Sequence, residues 1–118
     1  MSRFPLERCF QSPVIPVVWD PSEHVEILSK ASSVILQGGS LADFSRVLDL
    51  FCAPLLEHLV LFVHIDLVAG LENNEAGLEY ISRLKRVDGI VTIHHFLARP
   101  ARQLGLLSVV RLFLSDPR

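Results

Sequence analysis

The amino-acid sequence predicts an α/β fold in which about five parallel strands alternate with helices. Three observations carry that expectation. The stretch Leu59–Ile65 is rich in β-branched residues and apolar at nearly every position, the pattern of a strand buried on both faces of a parallel sheet. Apolar runs recur along the chain, each separated from the next by a segment of helical length. Polar side chains enter the longest run only at its C-terminal end, at His64 and Asp66, where parallel α/β sheets place their ligands.

The elements follow in order. Val14–Val18 is a first apolar run, and Asp20-Pro21-Ser22 supplies a turn and a helix start, with Asp20 or Ser22 as cap. A helix from about Glu23 to Ser29 leads to a second run, Val34–Leu36. After Gly38-Gly39-Ser40, apolar residues at Leu41, Phe44, Val47, Leu48 and Phe51 have helical spacing, and Pro54 lies just beyond. The strand Leu59–Ile65 comes next, then a helix from about Asn74 to Lys85 and a fourth run, Gly89–Ile93. A short helix around Leu97–Leu104 stops at Gly105. Pro100 fits if that helix begins near Arg99 and Pro100 lies in its first turn. Leu107–Leu114 is the fifth run. Such βα repetition implies a parallel sheet with right-handed crossovers.

The bulk numbers bound what this fold can do. At 118 residues the chain is sized for a single domain, 1–118, and with half its residues apolar it can bury a core. Glu57, His58, His64 and Asp66 interrupt the longest apolar region well short of the roughly 20 residues of a membrane span. Met1–Phe10 lacks the apolar region of a signal peptide, so a cytoplasmic location is expected. Cys9 and Cys52 have no metal or redox spacing and read as reduced thiols in or near the core. A net charge of −2 gives no bulk electrostatic argument for nucleic acid.

Strand alternation sorts the polar candidates, because side chains two apart share a face. Val60, Phe62, His64 and Asp66 form one such set, Ile90, Thr92 and His94 a second, and Val109, Arg111 and Phe113 a third. If the three faces match, His64, Asp66, Thr92, His94 and Arg111 converge at the C-terminal edge, joined by the Gly38-Gly39 turn. That set suits a small phosphorylated polyol. Arg111 would hold the phosphate by paired hydrogen bonds, Asp66 would accept from hydroxyls, and the glycine N–H groups would approach the anion. Plainer readings stand beside these. His64 is equally a core histidine, Arg111 a neutralising partner for Asp66, His94-His95 a loop pair, and Gly38-Gly39 an ordinary turn. His64, Asp66 and His94 make no metal-hydrolase signature, and no Ser or Cys lies in a nucleophile elbow, so neither a metal nor a catalytic residue is expected. Arg83, Lys85 and Arg86 end one helix and Arg99 and Arg102 lie on the next, where they either form one basic stripe or are ordinary solvated surface.

These residues resemble the glycerol uptake operon antiterminator family, the glycerol-3-phosphate-responsive antiterminators. Four blocks carry the resemblance: PVIPVVWD at 13–20, VILQGGSL at 34–41, FVHIDLVAGLENNE at 62–75, and 87–116, which opens VDGIVTIHH. It implies a (β/α) barrel similar to a TIM barrel and a regulator rather than an enzyme. It implies binding to a leader messenger RNA and prevention of premature transcription termination when glycerol 3-phosphate is present. On that reading the pocket set above takes the effector, the basic stripe takes RNA, and no cofactor is needed. Two positions depart from the family: Trp19 stands where a basic residue usually precedes the aspartate, and His94 where a lysine is usual. Family members continue beyond Asp116 for further strand–helix units, and a full barrel has about eight. The chain therefore reads as an incomplete, C-terminally truncated barrel. Its two open sheet edges lead us to expect a homo-oligomer. The rival readings are a sugar-phosphate-binding barrel protein or enzyme using the same strand ends, and a non-functional truncated remnant.

Overall fold

The structure, a computed structural model, describes residues 15–111. Strands β1 (Val17–Val18), β2 (Ser33–Leu36), β3 (Val60–His64), β4 (Gly89–Thr92) and β5 (Leu107–Val110) form one sheet in the order β1-β2-β3-β4-β5, and every pairing is parallel. Between them lie helices α1 (Val25–Leu28), α2 (Phe44–Phe51), α3 (Glu75–Ser82) and α4 (Ala98–Gln103). Strands that neighbour each other in sequence also neighbour each other in space, as in a barrel wall, and no switch point divides the sheet. The parts of the expected first and fifth strands at Val14 and at 112–114 lie outside the described residues.

The sheet has two different faces. Val34, Leu36, Leu61, Val63 and Ile90 pack with Leu28 of α1, Val47 and Phe51 of α2, Leu78 and Ile81 of α3 and Ala101 of α4 in one continuous core. All four helices therefore cover the same face. On the other face Val60, Phe62 and Val91 cluster with Ile35, Leu107 and Val109. Burial on both faces explains why β3 carries no alternation of polar and apolar residues.

Local chemistry sets the boundaries. β1 is short: Pro16 offers no N–H to the ladder, although its carbonyl accepts from Ile35 N at 2.9 Å. Asp20 is the cap after β1, its carboxylate accepting from Ser22 N with Pro21 following. Asn74 caps α3 by accepting from Gly77 N at 2.9 Å. That helix ends at Ser82 rather than Lys85, because the chain turns through Leu84–Val87 and Arg86 enters the interior. Pro100 lies in the first turn of α4, and Gly105 (φ +82°) takes the left-handed position after it. Cys52 is exposed rather than in the core, because it lies past the last buried position of α2, Phe51. Cys9 lies outside the described residues. Among the described residues no helix is long and apolar enough to cross a membrane.

Candidate functional site

The C-terminal ends of β3, β4 and β5 bring four ionisable side chains together. The Nη1 of Arg111 lies 3.4 Å from His64 Nε2. Asp66 Oδ2 lies 3.9 Å from His64 Nδ1, and Asp66 Oδ1 lies 3.8 Å from His94 Nε2. Register explains the first contact. His64 pairs with Val91, Val91 pairs with Val109, and Arg111 is two residues further along the same face, its N–H bonded to Thr92 O at 2.8 Å.

The structure corrects two parts of the alternation argument. Asp66 does not continue the face of His64, because β3 ends at His64 and Ile65–Leu67 is a 3-10 turn. Thr92 lies on the opposite face from His64, since the partner of His64 is Val91. The two corrections meet in one arrangement. Thr92 Oγ1 donates to Asp66 at 2.9 Å, Ile93 N donates to Asp66 Oδ2 at 2.8 Å, and His94 N donates to Thr92 Oγ1 at 3.0 Å. Asp66 thus joins the turn after β3 to the end of β4. Its role as an acceptor for ligand hydroxyls becomes secondary to that tie.

His64 is the unusual member. Its side chain is buried, and Nδ1 has no hydrogen-bond partner. Arg111 has only donors, so Nε2 must be the accepting nitrogen and Nδ1 carries the proton of the neutral ring. Burial holds the His64 pKa below its ordinary value of 6.5; nearby Asp66 opposes that shift and Arg111 adds to it. An unsatisfied buried N–H costs roughly 1–3 kcal/mol. Nδ1 faces the Asp66 carboxylate at 3.9 Å, beyond hydrogen-bond distance. Among the described residues no group of three or more His, Cys, Asp and Glu side chains is arranged to hold a metal.

Gly38 and Gly39 follow β2 at the same edge of the sheet, both with positive φ (93° and 82°). Their loop is tied to the chain after β3, with Ala69 N donating to Gly39 O and Leu41 N to Ala69 O. They line a separate cavity with Trp19, Asp20, Asp43 and Arg46, and His64 and Arg111 are not part of its wall. The sequence places this turn with His64 and Arg111; the structure separates them, and the cation beside the turn is Arg46, which lies on α2 outside any motif.

The architecture agrees with comparison to known proteins. The family model described as glycerol-3-phosphate responsive antiterminator matches residues 14–118. The chain belongs to that family. Among solved structures it is similar to the glycerol uptake operon antiterminator regulatory protein of Listeria monocytogenes, with 23% identity and a TM-score of 0.76 over 91% of this chain. It is also similar to a glycerol uptake operon antiterminator-related protein of Thermotoga maritima, with 24% identity and a TM-score of 0.70 over 86% of this chain. At such identities the likeness speaks for the fold. The chain spans 56% of the length of each of those two structures. An uncharacterized Escherichia coli K12 protein, YgcP, is 31% identical over 55 residues, covering 47% of this chain and 29% of YgcP.

Against this antiterminator frame the basic residues divide. Arg83, Lys85, Arg99 and Arg102 are exposed, and α3 packs beside α4. Arg83 pairs with Glu79 at 2.6 Å on the surface. Arg86 leaves the expected stripe, because its guanidinium is buried. It donates to the carbonyls of Phe51, Leu56 and Leu59 and pairs with Asp88 at 3.2 Å. Asp88 in turn accepts from Leu61 N at 2.9 Å. A buried side chain held by these groups cannot reach an RNA phosphate.

Proposed function

We propose that this antiterminator-family chain binds a leader messenger RNA in response to glycerol 3-phosphate, acting in the cytoplasm as a regulator of glycerol metabolism genes rather than as an enzyme. The phosphate is held by Arg111. His64 Nε2 accepts from the guanidinium and positions it, and His94 lies beside Asp66 at the same edge. RNA is contacted by the cations left exposed on α3 and α4, namely Arg83, Lys85, Arg99 and Arg102. A homo-oligomer follows from the edges of the open sheet.

The observation that carries the reading is the Arg111 guanidinium held against Nε2 of the buried His64, at the edge where α/β sheets hold ligands. A guanidinium fixed at that edge selects an anion with oxygen acceptors. The test is a mobility shift of glycerol-operon leader RNA with and without glycerol 3-phosphate. Effector-dependent retardation is the expected result. Retardation equal in both lanes, or none in either, rejects the reading.

A further inference from the structure

The loops after β1 and β2 enclose a cavity that the effector reading does not use. Its volume is about 150 Å³, about half the lower limit for sites that take drug-sized ligands. It lies between the C-terminal ends of two strands and the start of α2. Trp19 forms one wall and is 66% exposed, an unusual state for a large apolar ring. The ring is not loose. It lies directly on Gly38, where an added Cβ would come within 2.4–2.8 Å of three of its atoms. Gly38 is therefore needed twice, for its positive φ of 93° and for the space that the indole fills.

The polar wall faces this platform. Arg46 Nη2 lies 3.1 Å from Asp20 Oδ2 and 3.2 Å from Asp43 Oδ2. The Ser22 N–H and hydroxyl hold the Asp20 carboxyl below its usual pKa, so it is charged at neutral pH. Two carboxylates thus surround one guanidinium. The balance is negative, which disfavours a phosphate here. The cluster still offers acceptors and donors side by side, as vicinal hydroxyls require. An apolar ring face with fixed acceptors and donors is chemistry for a polyhydroxylated carbon skeleton: C–H groups lie on the indole and hydroxyls on the polar wall.

We propose that this cavity is a binding site for a small neutral polyol or monosaccharide, stacked on Trp19 and hydrogen-bonded by Asp20, Asp43 and Arg46. It is distinct from the phosphate-selective cluster at His64 and Arg111.

Trp19 is the sole tryptophan of the chain and so reports directly on its own site. The experiment titrates the protein with glycerol and with D-ribose while reading indole fluorescence. Inorganic phosphate and glycerol 3-phosphate serve as charged probes. The expected result is a saturable change with glycerol or ribose in the millimolar range and none with inorganic phosphate. Asp43→Ala and Arg46→Ala should each weaken that response at least fivefold. Both side chains are more than half exposed, so the variants should keep the wild-type far-ultraviolet circular dichroism. Trp19→Phe, followed by calorimetry, should also weaken binding. The site is rejected if no neutral probe saturates, if glycerol 3-phosphate responds while glycerol and ribose do not, or if both alanine variants titrate like wild type. The effector reading is scored separately, by leader-RNA retardation, and its failure would leave this titration standing.

Discussion

Replacing Arg86 by methionine should unfold a large part of the protein's stability margin. The guanidinium satisfies three backbone carbonyls, those of Phe51, Leu56 and Leu59, and neutralises Asp88, all in the interior. Methionine keeps the stem and removes every donor. Removing one partner of a buried pair costs about 3–5 kcal/mol. A chain of 118 residues is stable by about 6–18 kcal/mol at typical values per residue. The unfolding entropy of such a chain, about 0.25 kcal/mol per degree, turns that loss into a fall in Tm of about 12–20 °C. Thermal melts followed by circular dichroism measure it. Arg83→Ala is the internal control, because its pair with Glu79 is exposed and worth about 0.5 kcal/mol or less. Converting both buried partners, Arg86→Met with Asp88→Leu, should recover part of the loss, since no charge is then left alone. A fall of less than about 3 °C in Arg86→Met would refute the assignment of Arg86 to the interior.

Three further outcomes are expected. His64 is held neutral in the fold while the unfolded chain takes up a proton as pH drops below 6.5. Stability should therefore decline on acidification through that range, and His64→Gln should flatten the decline in urea titrations run at several pH values. Arg111→Ala should abolish the effect of glycerol 3-phosphate on leader-RNA retardation while leaving RNA affinity without effector unchanged. Arg99→Ala with Arg102→Ala should weaken RNA binding across sequences and reduce the salt slope by about one unit or less per lost contact; an unchanged slope in filter binding would make α4 ordinary surface.

Much of this was legible in the chain because burial on both faces of a parallel strand leaves a plain mark, as Val60–Val63 shows. Helix starts were legible where a side chain does the capping, at Asp20 and Asn74. Four members of the strand-end cluster, His64, Asp66, His94 and Arg111, were legible, while the Gly38-Gly39 turn lines a separate cavity and Thr92 faces the other way. Alternation assumes that a strand continues, and the 3-10 turn at Ile65–Leu67 broke that assumption for Asp66. Register between β3 and β4 decides which side Thr92 faces, and a single strand's sequence does not contain it. Arg86 was misjudged by its helical spacing from Arg83. Arg86 pairs instead with Asp88, two residues on at the entrance of β4, and a spacing of two carries no mark of burial. The indole of Trp19 on Gly38 joins residues from two loops and has no local sequence mark at all.

The central claim is that His64 and Arg111 form the effector site, and the imidazole can be watched directly by nuclear magnetic resonance. Glycerol 3-phosphate should shift the His64 ring nitrogen signals saturably, chiefly at Nε2, which accepts from Arg111, and Arg111→Ala should remove the shift. A His64 spectrum unchanged at saturating glycerol 3-phosphate would contradict the account.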